Sequence, residues 1–171
     1  MMRAQARPAV TIEVVIESDR WDAEPLAART IRAAIDTAAR EISAPSGEIA
    51  VMLVDDEAMR GLNRQWRGQD KPTNVLSFPA APIPGTPGAS HLGDIAVAFE
   101  TTAREAAAEE KTLAQHLAHL TVHGYLHLLG YDHENVKDAE AMERTETAIL
   151  ARLGIPDPYA ARATETLNDH A

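Results

Sequence analysis

Apolar and polar positions alternate along residues 10–17, with β-branched Val10, Ile12, Val14 and Ile16 on one face, and this period of two predicts a strand. Glu24-Pro25 then opens a helix, with Pro25 in its first turn. It runs to about residue 42 and carries Leu26, Ile31 and Ile35 among its apolar positions. After the turn Pro45-Ser46-Gly47, residues 48–54 form a short apolar run that reads as a central strand. Asp55-Asp56-Glu57 caps the next helix, which carries Met59, Leu62, Asn63 and Trp66 and stops at Gly68.

A loop over residues 70–73 leads into a strand at 74–78 that Pro79 ends. Residues 79–90 are rich in Pro, Gly and Ala; a segment of this length is either a binding loop or lid, or a plain hairpin connection. A last strand at 93–99 precedes helices at 101–110, 112–129 and 137–153, the last ended by Gly154. The order β-α-β-α-β-β-α-α-α predicts an α+β fold, a mixed four-stranded sheet covered by helices. Strands three and four are a hairpin or an edge pair. The chain divides into an N-terminal tail (1–8), a single domain (9–155) and a polar C-terminal tail (156–171).

Composition narrows the class. At 171 residues, 45% apolar and 25% charged, the chain suits one soluble domain with a real core. It has no cysteine, so disulfides and thiolate ligands are excluded and any zinc must be held by His or carboxylate. No apolar stretch has signal-peptide or membrane-spanning length, so a cytoplasmic protein without a membrane partner is expected. A net charge of −10 argues against non-specific nucleic-acid binding. Against that background Arg60, Arg64, Arg67 and Lys71 stand out, because on a helix they share one face. That face is either merely solvated or a docking site for an anion.

The chemistry concentrates in His123-Gly124-Tyr125-Leu126-His127-Leu128-Leu129-Gly130-Tyr131-Asp132-His133. His123 and His127 are one helical turn apart on one face. Gly130 offers a left-handed stop, so the chain turns back and brings His133 to the same point. Three imidazoles plus a water make an open, catalytic Zn2+ site, one per chain, at the end of a core helix; other divalent transition metals suit it too. The pattern matches the zinc-peptidase motif H-E-x-x-H-x-x-G-x-x-H except that Gly124 replaces the Glu that serves as base. A metal-dependent hydrolase other than a peptidase is the expectation. His116 and His119 lie on the same helical stripe and are read as packing or supporting residues rather than ligands.

Four blocks resemble the YbeY family of bacterial endoribonucleases, also called rRNA maturation factors. They are Leu62-Asn63-Arg64-Gln65-Trp66-Arg67, the run from Pro72 to Pro79, Leu92-Gly93-Asp94-Ile95, and the run from Ala118 to His133. Trp66 stands where the family usually has a tyrosine. The resemblance implies a single-strand-specific, metal-dependent endoribonuclease acting in 16S rRNA 3′-end maturation and ribosome quality control. It implies His123, His127 and His133 as zinc ligands, Arg67 as a functional arginine, and a small-subunit ribosomal protein and a ribosome-assembly GTPase as partners. Arg67 suits a bidentate clamp on the scissile phosphate. Either a water activated by the metal or the RNA's own 2′-hydroxyl attacks. No carboxylate is placed as an obvious base: Asp132 fits a supporting or capping role, and Asp94 either orients a histidine or caps a turn. The competing readings are a non-catalytic, zinc-stabilised assembly factor and a degenerate peptidase.

Overall fold

The computed structural model describes residues 10–80 and 91–160. The alternating segment forms β1 (Val10–Ile16), and the apolar run forms β2 (Gly47–Val54), paired parallel to it. Between them α1 (Ala27–Glu41) starts two residues beyond Pro25, and Leu26 is 56% exposed rather than part of the core. The cause is a 3-10 turn over Asp19–Ala23, capped by Ser18, that the sequence pattern did not reveal. It buries Trp21, whose indole N–H donates to the Val54 carbonyl at 2.9 Å.

The helix expected after Asp55 is α2 (Asp56–Arg67), with Asp55 accepting from the Ala58 N–H and Gly68 closing it. The next strands are β3 (Val75–Pro79) and β4 (His91–Ala98). They are antiparallel, whereas β4 runs parallel to β2, so the sheet order is β1-β2-β4-β3 with β3 at an edge. The sheet is therefore mixed, as expected. The Pro-rich loop falls almost wholly on residues 81–90, which lie outside the described residues, as do the N-terminal tail (1–9) and residues 161–171. Three helices follow: α3 (Phe99–Ala108), α4 (Leu113–Leu128) and α5 (Val136–Arg152).

The two faces of the sheet are unequal. Ile49, Val51, Leu53, Ile95 and Val97 meet α1, α4 and α5 in the main core. The alternate residues Val54, Ala96 and Ala98 join Leu76 and Met59 in a smaller cluster under α2. A capping box between Thr112 and Gln115 starts α4, and the helix is buried on most of its circumference, which makes it the central helix of the domain. Its C-terminal end lies against the edge strand, where Ser77 Oγ donates to the Gly124 carbonyl at 2.9 Å. The metal motif is thus held by a buried helix on one side and an edge strand on the other.

Candidate metal centre

The last two turns of α4 present His123 and His127 on one face, their Nε2 atoms 3.1 Å apart. Beyond Leu129 the chain reverses at Gly130, whose φ of +97° is a left-handed conformation that side-chain-bearing residues rarely adopt. The Tyr131 N–H then bonds back to the Leu126 carbonyl at 3.0 Å. That reversal brings the exposed His133 to the helix end, where one nitrogen from each of the three rings lies within 4.8 Å of the others.

The donor chemistry fits a metal. His123 Nδ1–H donates to Glu146 Oε1 at 2.5 Å, which leaves the Nε2 lone pair facing His127. Burial, together with the neighbouring His123 and His133, pushes the His127 pKa down, although the Tyr131 backbone and the Asp132 carboxylate work the other way. Lone pairs crowded at one point repel each other unless a cation stands among them, and nitrogens about 2.0–2.1 Å from a shared ion lie close together. Among the described residues no other group of three or more His, Asp or Glu side chains converges in this way.

Glu146 was missed in the sequence. It is fully buried in α5, 23 positions from His123. Burial pushes its carboxyl up, but the His119 and His123 imidazoles and the Tyr159 hydroxyl together outweigh burial and bring it down to about 2. Tyr159 donates its hydroxyl proton to Glu146 Oε2, and His119 Nε2 lies 3.2 Å from the same hydroxyl. The signal was available: Met142, Glu146, Ile149 and Leu150 form one buried stripe, and Glu146 is the charged member of it. A carboxylate behind a metal-ligating histidine fixes its tautomer and orientation. Glu146→Gln is expected to weaken metal binding about 10–100-fold, measured by competition with a chelator; parent affinity in this variant would remove Glu146 from the site.

The other candidates fall as follows. Arg67, at the end of α2, lines a cleft of ≈ 400 Å3 together with Thr73, Ser77, His123, His127 and His133. No carboxylate lines that cleft among the described residues. Arg60 is withdrawn from the basic face by a two-pronged pair with Asp70 at 2.8 and 3.0 Å. Lys71 lies beyond the helix end, where Asn63 Nδ2 holds its carbonyl at 2.8 Å. What remains is Arg64, Arg67 and Lys71, beside a Trp66 that is 64% exposed. Asp94 orients a histidine, but it is His91 of its own strand, at 2.9 Å. Asp132 accepts from the His133 N–H at 2.7 Å, a local capping contact. His116 donates toward Glu105 at 2.9 Å, and His119 stands beside Tyr159. Tyr159 falls in the stretch expected as a polar tail, yet it reaches back to the carboxylate behind His123.

Comparison with known proteins agrees with this architecture. A family profile described as Endoribonuclease YbeY matches residues 14–154. A protein of Rhodopseudomonas palustris named "Endoribonuclease YbeY" is 58% identical, over 93% of this chain and 85% of its own length. One of a Bradyrhizobium strain with the same name is 55% identical, over 91% of this chain and 95% of its own. In fold, the chain resembles the solution structure of TM1509 from Thermotoga maritima, with a TM-score of 0.57 and 24% identity over 91% of this chain and 93% of the other. The chain belongs to the endoribonuclease YbeY family.

Proposed function

We propose that this member of the endoribonuclease YbeY family is itself an RNA-cleaving enzyme whose centre is a divalent ion, Zn2+ in the first instance, held by His123, His127 and His133. The observation that carries the reading is the convergence of those imidazoles in one cleft with Arg67. The chemistry such an ion supplies when bound is Lewis acidity toward a phosphoryl oxygen. Arg67 binds and orients the scissile phosphate and stabilises the charge that builds on it. Glu146 holds His123 in the tautomer that keeps its Nε2 available. On this reading the substrate is single-stranded RNA, namely the 3′ end of precursor 16S rRNA. The protein then acts in the cytoplasm in rRNA maturation and ribosome quality control, beside a small-subunit ribosomal protein and a ribosome-assembly GTPase. Family membership supports that setting, and no helix among the described residues is long and apolar enough to cross a membrane.

The absence of a carboxylate from the described cleft walls favours the rival in which the ion only holds the fold and the basic face docks on RNA. The deciding experiment is RNA cleavage with and without chelator, beside elemental analysis and a melting curve. Cleavage lost on metal removal at unchanged folding supports the enzyme; RNA binding without cleavage by the metal-loaded protein supports the docking factor.

Arg67→Ala separates the two further. The clamp role predicts a loss of about 10^2–10^3 in kcat with metal content and fold retained. Arg64→Ala and Lys71→Ala are expected instead to weaken binding modestly and to lower its salt dependence by about one unit of slope or less each. Parent-rate cleavage by Arg67→Ala at saturating RNA would end its assignment as the clamp.

A further inference from the structure

A second cavity, of ≈ 340 Å3, adjoins the metal cleft and shares Asn74, Val75 and His123 with it. The side chains on its far walls are of a different kind. Glu105 and Glu109 come from the end of α3 and the turn after it, His116 and His119 from α4, and Tyr159 from beyond α5. Among the described residues no lysine or arginine lines it, although Lys111 pairs with Glu109 Oε2 at 3.4 Å and leaves Glu105 as its carboxylate without a lysine partner; the metal cleft has Arg67. Carboxylates repel phosphate, so the cavity does not suit the RNA backbone. It does not suit a second metal ion either. His116 Nε2–H and Asn74 Nδ2–H both donate to Glu105 Oε1, each at 2.9 Å, so neither nitrogen is a ligand. What the walls offer is ring surface and hydrogen-bond acceptors: the part-buried His119 and Tyr159 stand edge to face, with the buried His116 edge to face against His119, and Glu105 takes its two side-chain hydrogen bonds on Oε1.

We infer that this cavity receives one unstacked nucleobase of the RNA strand whose phosphate lies in the metal cleft, and that it selects bases carrying an exocyclic amine over uracil. The inference rests on the endoribonuclease reading. It follows from how charge is sorted on either side of Asn74 and Val75. A strand laid across that divider puts its anionic backbone beside Arg67 and a base between rings and carboxylates. Single-stranded RNA is recognised in this way, by splayed bases stacked on aromatic side chains and read along their edges. Carboxylate acceptors pair with N–H donors: adenine, cytosine and guanine each offer an exocyclic amine, whereas uracil offers only its ring N3–H, flanked by two carbonyls that a carboxylate repels. Only a base free of a duplex enters such a cavity, so the same walls account for a single-strand preference.

The test uses the metal-loaded full chain and short single-stranded RNAs of one sequence, varied singly at each position flanking the cleaved bond. Uracil replaces cytosine and inosine replaces guanine, so that an amine is removed. At one position the loss of the amine is expected to lower kcat/KM roughly tenfold or more. Ala108 lines the cavity at the exposed end of α3 and takes part in no side-chain hydrogen bond. Ala108→Trp fills the space from that wall, and is expected to raise KM and erase the base preference at parent metal content. Glu105→Gln, which presents a donor where the carboxylate accepted, is expected to erase the preference as well. Equilibrium binding of the same RNAs is the second arm. Cleavage without any base preference, or a preference that survives Ala108→Trp, overturns the inference and leaves the endoribonuclease reading standing. So does loss of a second equivalent of metal in Glu105→Gln, which makes the cavity an ion site. Base-selective binding without cleavage, lost in Ala108→Trp, keeps the cavity and removes the enzyme; neither binding nor cleavage removes both.

Discussion

A His127→Ala variant is expected to lose stoichiometric metal and RNA cleavage together. Its Nε2 lies 3.1 Å from His123 Nε2, and its ring is the nearer neighbour of both others, with centroids 4.6 and 5.0 Å away. Without it, only His123 and His133 remain, stacked with centroids 5.8 Å apart, and His133 sits exposed on the loop beyond the helix. Two imidazoles, one of them on a loop, do not retain an ion against buffer. Several kcal/mol of Lewis-acid stabilisation disappear with the ion, so cleavage is expected to fall by about 10^3-fold or more. The fold is expected to survive, because His127 is only half-buried, occupies the last turn of α4, and alanine is a good helix former. Elemental analysis, a melting curve and a cleavage assay on one preparation give the three readouts. Full metal occupancy in this variant would refute the ligand assignment; parent cleavage without metal would refute the metal's role.

The histidine cluster was legible because its geometry is local. An i,i+4 pair and one left-handed glycine fix three side chains within eleven residues, and helical pitch does the rest. What lay beyond the sequence is what long-range packing decides. The placement of β4 between β2 and β3 depends on pairings across the chain, and the residue pattern left a hairpin or an edge pair open. Arg60 counted as part of a basic face until the turn at Gly68 carried Asp70 back to it. Tyr159 was an aromatic in a polar stretch, and only the packing against α5 shows that it bonds to Glu146. Glu146 itself broke an apolar stripe. A buried charge in such a stripe has a partner, and the nearest candidates were the histidines already singled out. The two supporting groups behind His123 were therefore readable as anomalies in pattern, though not as contacts.

The absent peptidase base leads to the other large effect: restoring it, Gly124→Glu, is expected to damage the fold rather than create a peptidase. Glycine inside a helix costs roughly 0.5–1 kcal/mol relative to alanine, so its presence within the C-terminal half of α4 calls for a reason. The reason is the approach of α4 to the sheet. A Cβ at Gly124 would lie 3.1 Å from Ile95 Cγ2, 3.1 Å from Ser77 Oγ and 3.3 Å from Val75 Cγ2. Alanine there asks three neighbours to give by a few tenths of an ångström. Glutamate drives four more heavy atoms and a charge into the same gap. Overpacking of this kind costs about 1–3 kcal/mol, and a buried carboxylate without a partner adds several more. Against a total stability of roughly 5–15 kcal/mol, the variant is expected to melt at least ~10 °C lower or to fail to fold. Any rescue by moving α4 outward breaks the Ser77–Gly124 hydrogen bond and shifts His123 and His127, so metal affinity falls with stability. Gly124→Ala is the graded control, with a smaller loss in both readouts. Thermal melting and metal titration of the two variants, followed by a peptide panel, test the argument. A Gly124→Glu protein with the parent's melting temperature and robust peptide hydrolysis would show that the gap can open and would revive the peptidase reading.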